Sequence, residues 1–314
     1  MSSYRKLPRS VTLVYSPYHV GVRSHKVGGG PDFLKSKGLE TSLHQLGIEV
    51  SQVELEHVDE FEGEIGRSFE LIRRTSTAVT AALERGSFPI VLSGNCSASL
   101  GVAAGFHAYH YRVREKMRID GQDLKEQGRE ESPLAIVWFD AHDDFNTPDT
   151  VMSGYFDSQG IAMLGGKCWK GLIGSVPGHR AINLQKQLIH VGMRDVNELE
   201  RRRVTDAKLD VIWGSEYDNV DYVPRLRKLL DIKTFDLTMV HLDLDCLDVS
   251  VGQANQYSAP GGLSENDLLG CFDAIAQHTR PVCLTVSSFD PSLEGVDKIA
   301  SIAIAAIVTL IQTC

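Results

Sequence analysis

The chain has 314 residues, 42% of them hydrophobic, enough to build a sizeable core in one large α/β domain or two modest ones. With 32 Lys and Arg against 41 Asp and Glu, the net charge is −9, which gives no electrostatic attraction to nucleic acid or an anionic membrane and favours a small-molecule partner. The six cysteines, Cys96, Cys168, Cys246, Cys271, Cys283 and Cys314, lie far apart with no CxxC pair, which argues against a disulfide scaffold and a structural zinc module. The charged N-terminus is not followed by an apolar stretch, so no secretory signal is expected and a reducing, cytoplasmic setting is.

In chain order, Val11–Tyr15 opens a series of short, nearly continuous apolar runs. Phe69, Ile72, Val79 and Leu83 then share one helical face, with Gly86 as the stop, and predict a crossover helix. Phe88–Leu92 is the next apolar run. The stretch 112–131 is charged, carries Gly121 and Gly128 and loses apolar periodicity after Met117, which predicts an exposed excursion. Leu134–Phe139, Leu188–Val191 and Leu237–Leu242 follow, and Arg201–Arg203 and Arg225–Lys228 between them are expected to be solvated faces. Ser264 with Asp267 is a capping box for a helix running towards His278. Val282–Val286 is the last run, and Ile299–Ile311, short for a bilayer span and interrupted by Ser301 and Thr309, reads as a buried terminal helix. Apolar runs that do not alternate are what strands covered on both faces show, so a mostly parallel sheet between helical layers is expected. No internal repeat or linker divides the chain, which favours a single domain over residues 1–314.

Three runs lead into polar clusters: Ser93-Gly-Asn-Cys-Ser, Asp140-Ala-His-Asp-Asp and Asp243-Leu-Asp-Cys-Leu-Asp. In a parallel sheet the carboxyl ends of strands share one edge, so these distant segments converge on one crevice. Asp140, His142 and Asp144 share a parity that points them to one side of an extended segment, as do Asp243 and Asp245. Four carboxylates crowded together repel one another unless divalent cations neutralise them.

At these residues the sequence resembles the arginase and agmatinase (ureohydrolase) family, whose signatures are Gly-Gly-Asp-His-Ser, Asp-Ala-His-x-Asp and Asp-x-Asp-x-x-Asp-Pro; the second matches in full. Gly28-Gly-Gly-Pro and Gly192-Met-Arg-Asp extend the likeness through most of the chain. The resemblance implies a three-layer α/β/α fold and hydrolysis of a guanidino or amidino C–N bond at paired divalent ions, Mn²⁺ in the family. It implies that Asp140 and Asp243 bridge two ions, that His142 and Asp245 complete one site and that Cys96 and Asp144 complete the other. Paired ions make water a nucleophile near neutral pH, and Asp144 would accept its proton. The resemblance also implies a trimer or hexamer.

The departures carry as much information. Cys96 stands in place of the family's metal-binding His; a thiolate is softer and favours Zn, Fe, Co or Ni over Mn, and the alternative is a small buried cysteine in a site that has lost one metal. Asp157 falls where arginase has a proton-transfer His, so it is either that group's substitute or a loop residue. Ser288 replaces the carboxylate that clamps the guanidinium, which points away from arginine itself, towards a modified arginine-like amidine. Asn146 and Ser153 match residues that hold the amino-acid end of arginine, and Asn197 and Glu200 align with a second such pair. A catalytically silent protein that keeps the fold for binding or assembly is the rival expectation.

Overall fold

The computed structural model describes residues 8–59, 63–120 and 132–313. Eight strands, β1 (Ser10–Ser16), β2 (Glu49–Glu54), β3 (Phe88–Ser93), β4 (Leu134–Phe139), β5 (Leu188–Val191), β6 (Asp210–Ile212), β7 (Leu237–Asp243) and β8 (Arg280–Ser287), form one sheet. Its order is β2-β1-β3-β8-β7-β4-β5-β6, and every pairing is parallel. The six longest helices among the described residues are α1 (Glu64–Glu84), α2 (Ala98–Ile119), α3 (Glu198–Asp206), α4 (Tyr222–Lys233), α5 (Glu265–His278) and α6 (Val296–Thr313).

The two faces of the sheet take alternate residues. Leu13, Ile90, Val137, Val240 and Leu284 pack against Leu226 of α4, Phe272 of α5 and Ile307 of α6. Val14, Val91, Ile136, Trp138 and Met239 pack on the other side with Phe69 and Ile72 of α1 and Leu100 and Phe106 of α2. Each fully buried large apolar side chain contributes roughly 1.5–3 kcal/mol, which is why the central strands carry unbroken apolar runs. Helices α1 and α2 approach closely: a Cβ on Gly101 would lie 2.5 Å from the Ile72 carbonyl oxygen, and one on Gly105 2.5 Å from that of Ser76. Helix α6 is long and apolar enough by composition to cross a membrane, yet Ile299, Ala303, Ala306, Ile307 and Leu310 are buried in the core.

All six apolar runs are strands, and the expected crossover, capped and terminal helices are α1, α5 and α6. The edge strands β2 and β6 carry no such run, because an edge strand is half solvated and needs none. Residues 112–119 of the expected excursion form the last turns of α2, mostly exposed, and 121–131 lie outside the described residues.

Candidate metal centre

Strands β3, β8, β7 and β4 are neighbours at the middle of the sheet, and the segments leaving their carboxyl ends meet over one cleft of about 530 Å³. Cys96 comes from the turn after β3, Ser288 follows β8, Asp243 ends β7 with Asp245 just beyond, and Asp140, His142 and Asp144 leave β4. The turn after β3 is tight. A Cβ on Gly94 would press on the Tyr18 carbonyl oxygen and lie 2.9 Å from the Gly28 Cα, so the early glycine segment and this turn fit only as bare backbone.

Backbone donors orient the carboxylates. Asp140 Oδ1 accepts from the His142 N–H at 2.8 Å, and its Oδ2 accepts from the Trp138 indole at 3.1 Å. Asp243 Oδ1 accepts from the Asp245 N–H at 2.9 Å. Asp245 accepts from the Ala141 N–H at 3.1 Å and from Asn255 Nδ2 at 2.8 Å. His142 Nδ1 lies 3.3 Å from both Asp140 and Asp245. The Cys96 thiol donates to Asp243 Oδ2 at 2.9 Å and sits 3.2 Å from the hydroxyls of Ser287 and Ser288. Asp144, at φ 43°, has a buried Oδ2 with no hydrogen-bond partner.

The electrostatics follow from this crowding. Burial, then Asp245, pushes Asp140 up to about 6. Burial, then neighbouring carboxylates, holds Asp243 and Asp144 well above the usual carboxylate range. Burial, then Asp243, pushes up the Cys96 thiol. Burial opposes charge on His142, but Asp245 and Asp140 outweigh it and raise its pKa; burial likewise opposes charge on Asp245, but His142 and Asn255 hold it low. Among the described residues, His142 is the one side-chain cation within ion-pair distance of these four carboxylates. Protons thus do what divalent ions do better, and the donor set of carboxylates, imidazole and thiol, with an unpartnered Asp144 oxygen, fits such ions. Donor atoms of Asp140, His142 and Asp245 lie within 4.8 Å of one another, as do those of Cys96, Asp140 and His241.

The other expected site residues separate into cleft and scaffold. Asp157 lines the cleft but is 4% exposed, and its two oxygens accept the N–H groups of Cys96 and Ser97, each at 2.9 Å. It caps the approach to α2 instead of standing in an open loop. Ser153 is exposed at the cleft mouth, where its Oγ accepts from the Tyr155 N–H at 3.2 Å. Asn146 lines the cleft, but its amide donates to Glu200 at 3.1 Å and accepts from Arg203 at 2.6 Å. Glu200 also lines the cleft. Asn197 is not among the cleft-lining residues; it is the N-cap of α3, with Glu200 completing its capping box. Ser288, at φ 62°, lines the cleft beside Cys96.

Sequence reasoning missed Asn255, Trp138 and His241. Asn255 lies in an irregular segment with no pattern to mark it. In the sequence, Trp138 and His241 look like core members of apolar runs, although each shares the parity of the aspartate two residues on.

The Arginase family profile matches residues 10–312. An arginase of Staphylococcus aureus (strain MSSA476) is 22% identical over 96% of this chain and 96% of its own length. The solved structure of arginase from Bacillus cereus superposes with a TM-score of 0.79 at 19% identity, covering 96% of this chain and 98% of that one. Proclavaminate amidino hydrolase from Streptomyces clavuligerus superposes with a TM-score of 0.65 at 17% identity, covering 98% and 92%. With the profile spanning nearly the whole chain and the parallel sheet gathering its acidic segments at one edge, this protein belongs to the arginase family.

Proposed function

We propose that the protein is a metal-dependent hydrolase that cleaves a C–N bond of a linear amidine or guanidine other than arginine itself. The observation that carries this is the convergence of Asp144, Asp243, Asp245, His142 and Cys96 on one cleft, with Asp140 3.3 Å from His142 Nδ1 and no Lys or Arg within ion-pair distance of the four carboxylates among the described residues. In this reading Asp140, His142, Asp144, Asp243, Asp245 and Cys96 would together hold two ions, His142 and Asp245 serving one and Cys96 and Asp144 the other. Bound there, the ions would supply charge compensation and a water acidic enough to attack near neutral pH.

The chain's own residues do the rest. The free Asp144 oxygen receives the proton of the attacking water and returns it to the leaving amine. Asp157, committed to two backbone donors, positions Cys96. Ser288 offers a hydroxyl where a carboxylate would favour a guanidinium cation, so a neutral or N-substituted amidino group is better matched. Asp195, Glu200 and Asp290 make the cleft wall acidic and suit an amine at the far end of the substrate. Fold relatives carry arginase and amidino hydrolase names, in keeping with this bond class. Manganese is the family expectation; Cys96 moves the preference towards Zn, Fe, Co or Ni. A homo-oligomer and a cytoplasmic setting accompany the proposal.

The test is metal analysis of protein loaded with Mn²⁺, Zn²⁺ or Fe²⁺, followed by a panel of linear amidines and guanidines assayed for amine release. About two ions per chain and turnover of one substrate class are expected; fewer than about one ion under every condition contradicts it. The rival, a silent binding protein, is motivated by the departures from the family pattern at Cys96, Asp157 and Ser288. It predicts ligand binding with no product at any metal loading.

A further inference from the structure

His241 lies on β7, two residues before Asp243 and on the same side of the strand. It is fully buried on the face of the sheet covered by α2, in register with Trp138 on one side and Thr285 on the other. An imidazole in this layer is costly unless both nitrogens are satisfied, since a buried polar atom without a partner forfeits about 1–3 kcal/mol. One nitrogen is satisfied: Nδ1 is 2.7 Å from the Ser99 hydroxyl. The other, Nε2, has no hydrogen-bond partner.

The surroundings give this ring a use. A His241 ring nitrogen, the Cys96 Sγ and an Asp140 carboxylate oxygen lie within 4.8 Å of one another, all three residues buried. Each is held from behind. Ser99 engages Nδ1 of His241, and Trp138 stacks on its ring with centroids 3.6 Å apart. The Trp138 indole N–H also fixes Asp140 Oδ2, and Asp157 fixes the Cys96 backbone. An imidazole whose second nitrogen is hydrogen-bonded to a fixed group is oriented as metal-bound histidines are, and one sulfur, one nitrogen and one carboxylate oxygen form a donor set for a tetrahedral borderline-soft ion.

We propose that His241 is a metal ligand, closing with Cys96 and Asp140 an N/S/O site that takes zinc or a similarly soft divalent ion in preference to manganese. The inference rests on the reading of Cys96 and Asp140 as ligands and adds a second imidazole to the centre. Where a single thiolate replaces one imidazole, His241 supplies an imidazole from β7, two strands across the sheet from the β3 that Cys96 follows.

X-ray absorption of the zinc-loaded full-length protein counts the ligands directly, with the wild type alone. Two ions per chain sharing one thiolate and two imidazoles are expected, the second imidazole being lost in His241→Gln. Chelator competition on the same variant should show one of the two ions weakened by more than about 100-fold, beyond the roughly 10–100-fold cost of removing an outer partner. Should His241→Gln fail to fold, the wild-type count still decides. Two zinc ions with a single imidazole, or unchanged zinc affinity in a folded His241→Gln, overturn the role of His241 and leave the two-ion proposal standing. Failure of the wild type to bind zinc or any other divalent ion overturns both.

Discussion

Asp157 holds Cys96 by its backbone: one carboxylate oxygen accepts the Cys96 N–H and the other the Ser97 N–H, each at 2.9 Å, just before α2 begins. The carboxylate therefore serves the orphan donors of a helix start and is favoured by the helix dipole as well. Asp157→Ala strands both donors in a buried place, and each is expected to cost roughly 1–3 kcal/mol. Thermal unfolding of the metal-free variant reads this directly. Asp157→Asn, which keeps one acceptor oxygen, should recover about half of the loss; an unchanged melting temperature in Asp157→Ala would refute the capping role.

Asn255 acts on the centre from outside. Its Nδ2 donates to Asp245 Oδ2 at 2.8 Å and to the Ser288 carbonyl oxygen at 3.3 Å, tying two walls of the cleft together. Asn255→Ala is expected to leave the fold intact and weaken the ion held by His142 and Asp245 by about 10–100-fold. Chelator competition checks this, and equal affinities would show that Asp245 needs no such support.

Much of this arrangement is written in the sequence, and what is not has identifiable reasons. Runs such as Leu134–Phe139 are legible as strands because both faces of the sheet are covered, whereas Glu49–Glu54 and Asp210–Ile212 sit at edges and carry no apolar signature. Asp140, His142 and Asp144 do meet at the centre, but not by the parity of an extended segment: β4 ends at Phe139, the chain bends at Ala141 and His142, and Asp144 turns in with φ 43°. Asn197-Glu198-Leu199-Glu200 carries the same capping signal as Ser264 to Asp267, and it is also where the likeness to a substrate-binding pair falls. A histidine within an apolar run, such as His241, resembles core until the strands beside it are known.

Acid stability provides a check away from the cleft. His107 on α2 is fully buried, with Nε2 2.6 Å from the Ser132 hydroxyl and no partner at Nδ1. Burial, then nearby His179 and Arg180, pushes its pKa down to about 3. A lowered histidine adds stability that is present above its unfolded value, about 6.5, and is lost as pH falls towards the folded value. Wild-type stability should therefore fall more steeply than that of His107→Gln below pH ~6.5, by roughly 1.4 kcal/mol per pH unit. Parallel urea-unfolding curves at pH ~7 and ~5 for the two proteins would contradict this.

Metal preference follows from the sulfur. Cys96→His replaces the soft, charged donor by a neutral imidazole, so the ratio of manganese to zinc affinity should rise by at least about tenfold. Competition between the two ions on wild type and variant measures it, and an unchanged ratio would remove thiolate softness as the cause of selectivity.

The most direct test of a two-ion centre built on Cys96 is the absorption spectrum of the Co²⁺-loaded protein, because a thiolate bound to Co²⁺ gives a charge-transfer band that oxygen and nitrogen donors do not. The wild type should show this band at about two ions per chain, and Cys96→Ser should lose both the band and one tightly held ion. A wild type without the band, or a Cys96→Ser protein with the same spectrum and stoichiometry, would contradict the assignment of Cys96 to the centre.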